Sequence, residues 1–179
     1  GLKVASVDAE GIVNTSTNKE TGERSVASIE TASARGVGMS SGKDKSVTVD
    51  EASLGGVNYS TYEKGAKDAK SVITLDEAKA RGINLGTAAD GSTSASVKEA
   101  SAKGLGYTDT KVDDKGQKVV TTANVKEVGA GDIRFAKSGD RIDAGVGHAN
   151  VSGVSYGATT TDASGKVTGS KSASVKDAG

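Results

Sequence analysis

The sequence predicts a mainly β protein: an antiparallel meander or tandem hairpins, on irregular repeats of about 20–28 residues, with one or two short helical turns. Three observations carry this expectation. One pattern of about 13 residues recurs along the chain, valine dominates the large apolar residues, and Asp/Asn-to-Gly clusters punctuate the intervals.

The clearest copies of the pattern are 27–39, 47–59, 73–85 and 95–107, with a degenerate copy at 123–135. Partial copies cover 149–156 and 173–179. Anchored on the third residue, they place Ile29, Val49, Leu75, Val97, Val125, Val151 and Val175 at gaps of 20, 26, 22, 28, 26 and 24. Stacked solenoid coils hold their period more tightly than this. A wandering period fits strands joined by turns of variable length.

Within one unit, Ser71–Leu75 is short and rich in β-branched residues, a strand by composition. Asp76–Gly82 reads as a wide Ala/Gly-containing turn or a single helical turn, with Asp76 as N-cap and Gly82 as the residue after the C-cap. Ile83–Leu85 resumes strand-like alternation. Tight turns then occur at Asn18–Gly22, Asp90–Gly91, Asp113–Gly116 and Asp162–Gly165, where Asp or Asn opens the turn and glycine supplies a positive φ. Tyr62–Lys70 reads as an exposed loop or a short helix whose stripe is only alanine.

The 179 residues form one repeat-containing β-rich region, 1–179, divisible at most into two small subdomains whose boundary no change of composition marks. Val, Ile, Leu and Phe together number 32, about 18% of the chain and low enough to raise the question of disorder. The recurrence of those residues at fixed phases answers it in favour of thin β layers with small-residue cores. Lys and Arg balance Asp and Glu at 23 each, so no electrostatic footprint for nucleic acid or an anionic membrane is present. No apolar run of membrane-spanning length and no signal-peptide pattern occurs, and a chain opening at Gly1 is expected to be a processed product or a fragment.

The inventory of reactive groups is short. Without cysteine there is no thiolate nucleophile and no Cys-ligated zinc site, and one histidine cannot serve schemes that need two. His148 has no Gly-x-Ser-x-Gly partner and reads as a strand-surface residue. Gly129–Gly131 and Gly145–Gly147 are bare Gly-x-Gly pairs that lack the rest of a phosphate loop. Asp113 and Asp114 beside Gly116 lack the alternating ligands of a calcium loop and read as a hairpin turn. Carboxylates are plentiful enough for a glycosidase-like pair, but the aromatic residues are only Tyr59, Tyr62, Tyr107, Tyr156 and Phe135. All but Tyr62 fall at or near the same repeat phase and read as recurrent packing residues. Asn14, Asn58 and Asn150 head Asn-x-Ser/Thr triplets, a frequent coincidence in a Ser/Thr-rich chain. No catalytic, cofactor-binding or metal-ligating residue is assigned, no cofactor is expected, and the protein is not expected to be an enzyme.

The repeat resembles segments of the variable outer region of bacterial flagellins, where a strand is followed by Ser-x-Asp/Glu-Gly-Arg-Gly-Ile-x-Ile and a second strand. Thr31–Met39 and Asp76–Leu85 are loose versions of it, and Ser53–Tyr59 and Ser101–Tyr107 fainter ones. Alanine often stands where flagellins have glycine, and the coiled-coil segments that polymerise flagellin are not in this chain. The resemblance implies a structural, surface-exposed part of an extracellular bacterial filament, on the cell surface or flagellum. It also implies that neighbouring filament subunits are met through parts outside this chain, with no nucleic acid or membrane partner and an isolated fragment that is monomeric. The alternative is a repeat module of a surface-layer protein or adhesin that binds glycan or host protein.

Overall fold

The computed structural model describes residues 1–178, so Gly179, the end of the last partial copy, lies outside the described residues. Strands occupy 79% of the chain. They are β1 (Leu2–Thr17), β2 (Arg24–Ser40), β3 (Lys45–Tyr62), β4 (Ser71–Thr87), β5 (Thr93–Val112), β6 (Lys118–Ser138), β7 (Arg141–Gly145), β8 (His148–Thr161) and β9 (Val167–Ala178). All pair antiparallel in one open sheet of order β1-β2-β3-β4-β5-β6-β8-β9, with β7 alongside the C-terminal part of β6. β7 and β8 keep the same register on β6, Arg134 facing Gly145 and Gly131 facing His148, so they are one strand interrupted at Val146–Gly147. The predicted meander is therefore present as a single continuous layer.

Two parts of the sequence expectation are corrected. No helical turn forms among the described residues: Asp76–Gly82 lies in the middle of β4, and Tyr62–Lys70 is the end of β3 followed by a loop. Nor is there a small-residue core between layers. Among the described residues no apolar side chain is buried, and Ser60, at 6% exposure, is the one buried polar residue. The physical reason is length. Each strand carries a whole 13-residue copy, so the Ala/Gly segment read as a turn is the strand's own centre.

The true turns are the tight ones. The Oδ1 of Asp113 accepts the amides of Lys115 and Gln117 at 2.9 and 2.8 Å, and that of Asp162 accepts Ser164 and Lys166 at 2.9 and 3.0 Å. Asn18 does the same for Glu20 at 2.9 Å. Gly22, Gly91, Gly116 and Gly165 supply the positive φ that ends each turn.

The strand pairing explains the irregular repeat period. β1 carries a copy that begins at Leu2, and the β7/β8 copy begins at Ala144 rather than Ala149, because Leu2 pairs with Met39 and Ala144 with Phe135. Third-position residues are then Val4, Ile29, Val49, Leu75, Val97, Val125, Val146 and Val175, at gaps of 25, 20, 26, 22, 28, 21 and 29. Long and short gaps alternate because at one end of the sheet (turns 18–23, 63–70, 113–117, 162–166) the strands run further past the copies and some turns are longer, while at the other end (41–44, 88–92, 139–140) the copies come closer to the turns.

Strands β1 to β6 also drop out of the ladder at two positions six residues apart. In β2 they are Glu30 and Gly36, in β3 Asp50 and Gly56, in β4 Asp76 and Gly82, and in β5 Lys98 and Gly104. In these four strands the charged residue is fourth in the copy and the glycine tenth, so antiparallel pairing among them sets a charge against a glycine, whereas the fourth residue of the β1 copy is Ala5. These glycines have φ near +60°. The charged side chains lie over them, since a Cβ on Gly36 or Gly104 would collide with Asp50 or Asp76. β6 departs from the pattern: Asp132 occupies the left-handed position at φ 52° and faces Gly147. Asp132→Gly relieves that conformation and is expected to stabilise the protein by about 1 kcal/mol. A melting temperature raised by a few degrees in calorimetry is the check.

Candidate interaction face

An extra residue in a strand shifts its side-chain alternation by one, so that the residues beyond it point to the opposite face. Two such breaks in each of β1 to β6 reset the alternation twice. In β2 they put Ala27, Ile29, Ala32, Ala34, Val37 and Met39 on one face, with Ser28, Thr31, Ser33, Arg35, Gly38 and Ser40 on the other. Register carries each of these positions across the sheet as a row.

The apolar rows are consistent from strand to strand. The row through Ile29 contains Ile12, Val57, Leu75, Leu105, Val125, Val154 and Val175. The row through Ala34 is Val7 followed by Ala52, Ala80, Ala100, Ala130 and Ala149. Across the six rows no charged residue occurs among the described side chains, and Asn14 is the one polar exception. The two alanine-rich central rows form the floor of a shallow trough of about 670 Å³, lined by Ala32, Ala34, Leu54, Ala80, Ala102 and Val128 among others. Larger residues stand at the two margins: Tyr59, Ile73, Tyr107 and Tyr156 at one, Met39, Leu85 and Phe135 at the other, all 40–49% exposed.

The opposite face is polar and self-neutralising. Along the row through Arg35 the order is Arg35, Glu51, Arg81, Glu99, with Arg81 Nε donating to Glu51 Oε2 at 2.9 Å. The row through Thr31 brings Glu77, Lys103 and Glu127 side by side. At these exposures such cross-strand opposite charges are screened by water and fix neighbouring strands only weakly. Ser33 and Ser53 share a hydrogen bond at 2.7 Å between those rows.

The residues singled out in the sequence fall into this scheme. His148 stands exposed in the Arg35 row opposite Gly131, and its imidazole occupies the space that a Cβ there would need. Gly129 does the same for Asn150. The Gly129–Gly131 pair is thus a landing site for side chains of the next strand, and Gly145–Gly147 marks the strand break. Asp113 is engaged in its turn, and no group of three His, Asp or Glu able to hold a metal is found among the described residues. Tyr62 lies under the Arg24 guanidinium, 4.3 Å from its centre, a cation–π contact across the β2–β3 pair. Asn14, Asn58 and Asn150 all lie inside strands. Sequence reasoning missed the two faces. The signal was available in the 2-3-2-3-2 spacing of apolar residues from 27 to 39, which fits neither a plain strand nor a helix.

Hydrogen bonding in the turns lowers two carboxyl pKa values. The Ser164 hydroxyl, with the Lys166 amide, holds Asp162 below the usual 3.8, and Ser92 does the same for Asp90. Lys79 lowers Glu77 by the same means. A depressed carboxyl supports the fold above its unfolded pKa and loses that support as pH falls through the folded value. The amide signals of Ser164 and Lys166 are therefore expected to titrate with a midpoint below 3.8, and in Asp162→Asn to stay constant through that range in a two-dimensional NMR titration.

Comparison with protein-family profiles, curated proteins and solved structures finds no match for this chain.

The extent of the exposed surface sets this sheet apart. A compact monomer of 17.8 kDa exposes roughly 8,000 Å². This chain exposes 12089 Å². The excess, about 4,000 Å², is the signature of a single layer that has not closed over its apolar side.

Proposed function

We propose that the chain is a non-catalytic structural module, the outer part of an extracellular bacterial filament of flagellin-like type, in which the sheet acts as a wall. The observation that carries this reading is the separation of faces over the repeat copies: six uncharged apolar rows lie on one side and the paired charges on the other, with charges such as Lys45, Lys137, Asp109 and Lys171 returning to the apolar side only beyond its margins. A wall needs such an outside and inside, and it needs nothing else from its side chains. Balanced charge and Ser/Thr/Lys/Asp-rich turns suit the outside to constant contact with water. The flagellin-like repeat supports the filament context. The repeat now has a structural meaning, since its charge-to-glycine spacing is what lets successive strands be added without limit to one sheet.

Immunogold electron microscopy of intact source cells, with antibodies raised against this chain, tests the reading. Label along surface filaments is expected. Label found only after the cells are broken open would overturn it.

A further inference from the structure

We propose that two copies of this chain pack apolar face to apolar face, forming a β-sandwich dimer whose core is the alanine floor. The area decides first. At about 4.8 Å per strand and about 3.3 Å per residue, seven strands with 13-residue copies and β9 with a partial one span roughly 35 by 43 Å, a little under about 1,500 Å² in plan. Two such faces bury about 3,000 Å², within the range of about 2,000–5,000 Å² typical of obligate homodimers. A helix about 10 Å wide lying across the trough would cover about a quarter of the face, and an alkyl chain much less. Only a second sheet is the right size.

The face is also complementary to itself. It carries no charge, so like copies meet without repulsion. Because copies alternate in direction, residue size is close to symmetric about the centre of the strands: large at both margins, alanine between. A two-fold axis in the plane of contact therefore sets alanine against alanine and large against large whichever way the second sheet runs. Twisted sheets packed nearly aligned lie closest along the middle and diverge toward the corners. Ala80 and Ala100 at the centre, with Tyr107 and Phe135 at the margins, match that geometry.

This inference rests on the wall reading and names what covers the inner side; it departs from the monomer that the sequence suggests. Light scattering after size exclusion is expected to give twice the 17.8 kDa chain mass. Ala100→Lys should shift the particle to a monomer, whereas Ser101→Lys, one residue away on the polar face, should leave the dimer intact. Should Ala100→Lys fail to fold, the absence of native cysteine permits a second measurement. Leu54→Cys should be protected from a maleimide at high protein concentration and react at least tenfold faster on dilution, with Ser53→Cys reacting equally at both. A monomer at all concentrations, an open-ended polymer, or equal behaviour of the paired variants would overturn the dimer. A monomer that still labels surface filaments would overturn it while leaving the wall reading standing.

Discussion

Deleting Glu30 is expected to abolish the cooperative unfolding transition, whereas deleting Asp68 from the longest turn shifts it by no more than a few degrees. Glu30 is one of two residues in β2 that stand outside the ladder, opposite Gly11 and Gly56. Its removal leaves β2 one residue short at a line where both neighbours keep their extra residue. Everything on one side of the deletion is then turned over. Either Ala27 and Ile29 move to the polar face and Ser28 moves among valines, or Ala32 and Ala34 exchange places with Ser33 and Arg35. The loss falls on both flanking pairs, because β2 is paired along its length with β1 and with β3. An error of that size is comparable to the whole stability of a domain, about 5–15 kcal/mol. Asp68 lies between Glu63 and Lys70, in a loop that joins two strands without fixing their phase. Thermal melts followed by circular dichroism check both variants. A cooperative β transition surviving the loss of Glu30 would mean that the breaks do not set the faces.

Much of this was legible in the residues, and the misread parts have a definite cause. The strands flanking each copy, the tight Asp/Asn–Gly turns and the uneven spacing of copies all arise from short-range chemistry, which a sequence displays directly. Asp76–Gly82 misleads because its local features are those of a helix N-cap, an alanine stripe and a glycine stop. Gly82 does take a positive φ of 60°, as a terminating glycine would, but it takes it inside a strand. The deciding contact is Lys98 on the next strand, which lies across from Gly82. That partner is sixteen residues away, and its register depends on the turn between them. The uncovered apolar face was illegible for a related reason. Alanines in alternate positions read as core filler, and only the order of strands shows that no second layer lies over them.

The second large effect concerns Gly82 itself. Gly82→Ala is expected to destabilise the protein by about 3 kcal/mol, and Gly11→Ala by about 1 kcal/mol, though both glycines sit near φ +60°. The shared part is the left-handed backbone, which a Cβ disfavours by about 1–2 kcal/mol. The difference is crowding. A Cβ at Gly11 meets nothing within 4 Å, while one at Gly82 comes within 2.9 Å of the Lys98 Cβ. That atom is fixed to the backbone of β5 and cannot swing aside as a chain end could. Adding Lys98→Gly to Gly82→Ala should therefore recover the crowding part, about 1–2 kcal/mol, and leave the backbone part. The chain already contains this arrangement in reverse, since Asp132 holds the left-handed position and its facing residue is Gly147. Urea titrations of the two single variants, Lys98→Gly and the double variant close the cycle. Equal losses at Gly11 and Gly82, or no coupling between 82 and 98, would show that the charge-over-glycine contact does not hold the strands in register.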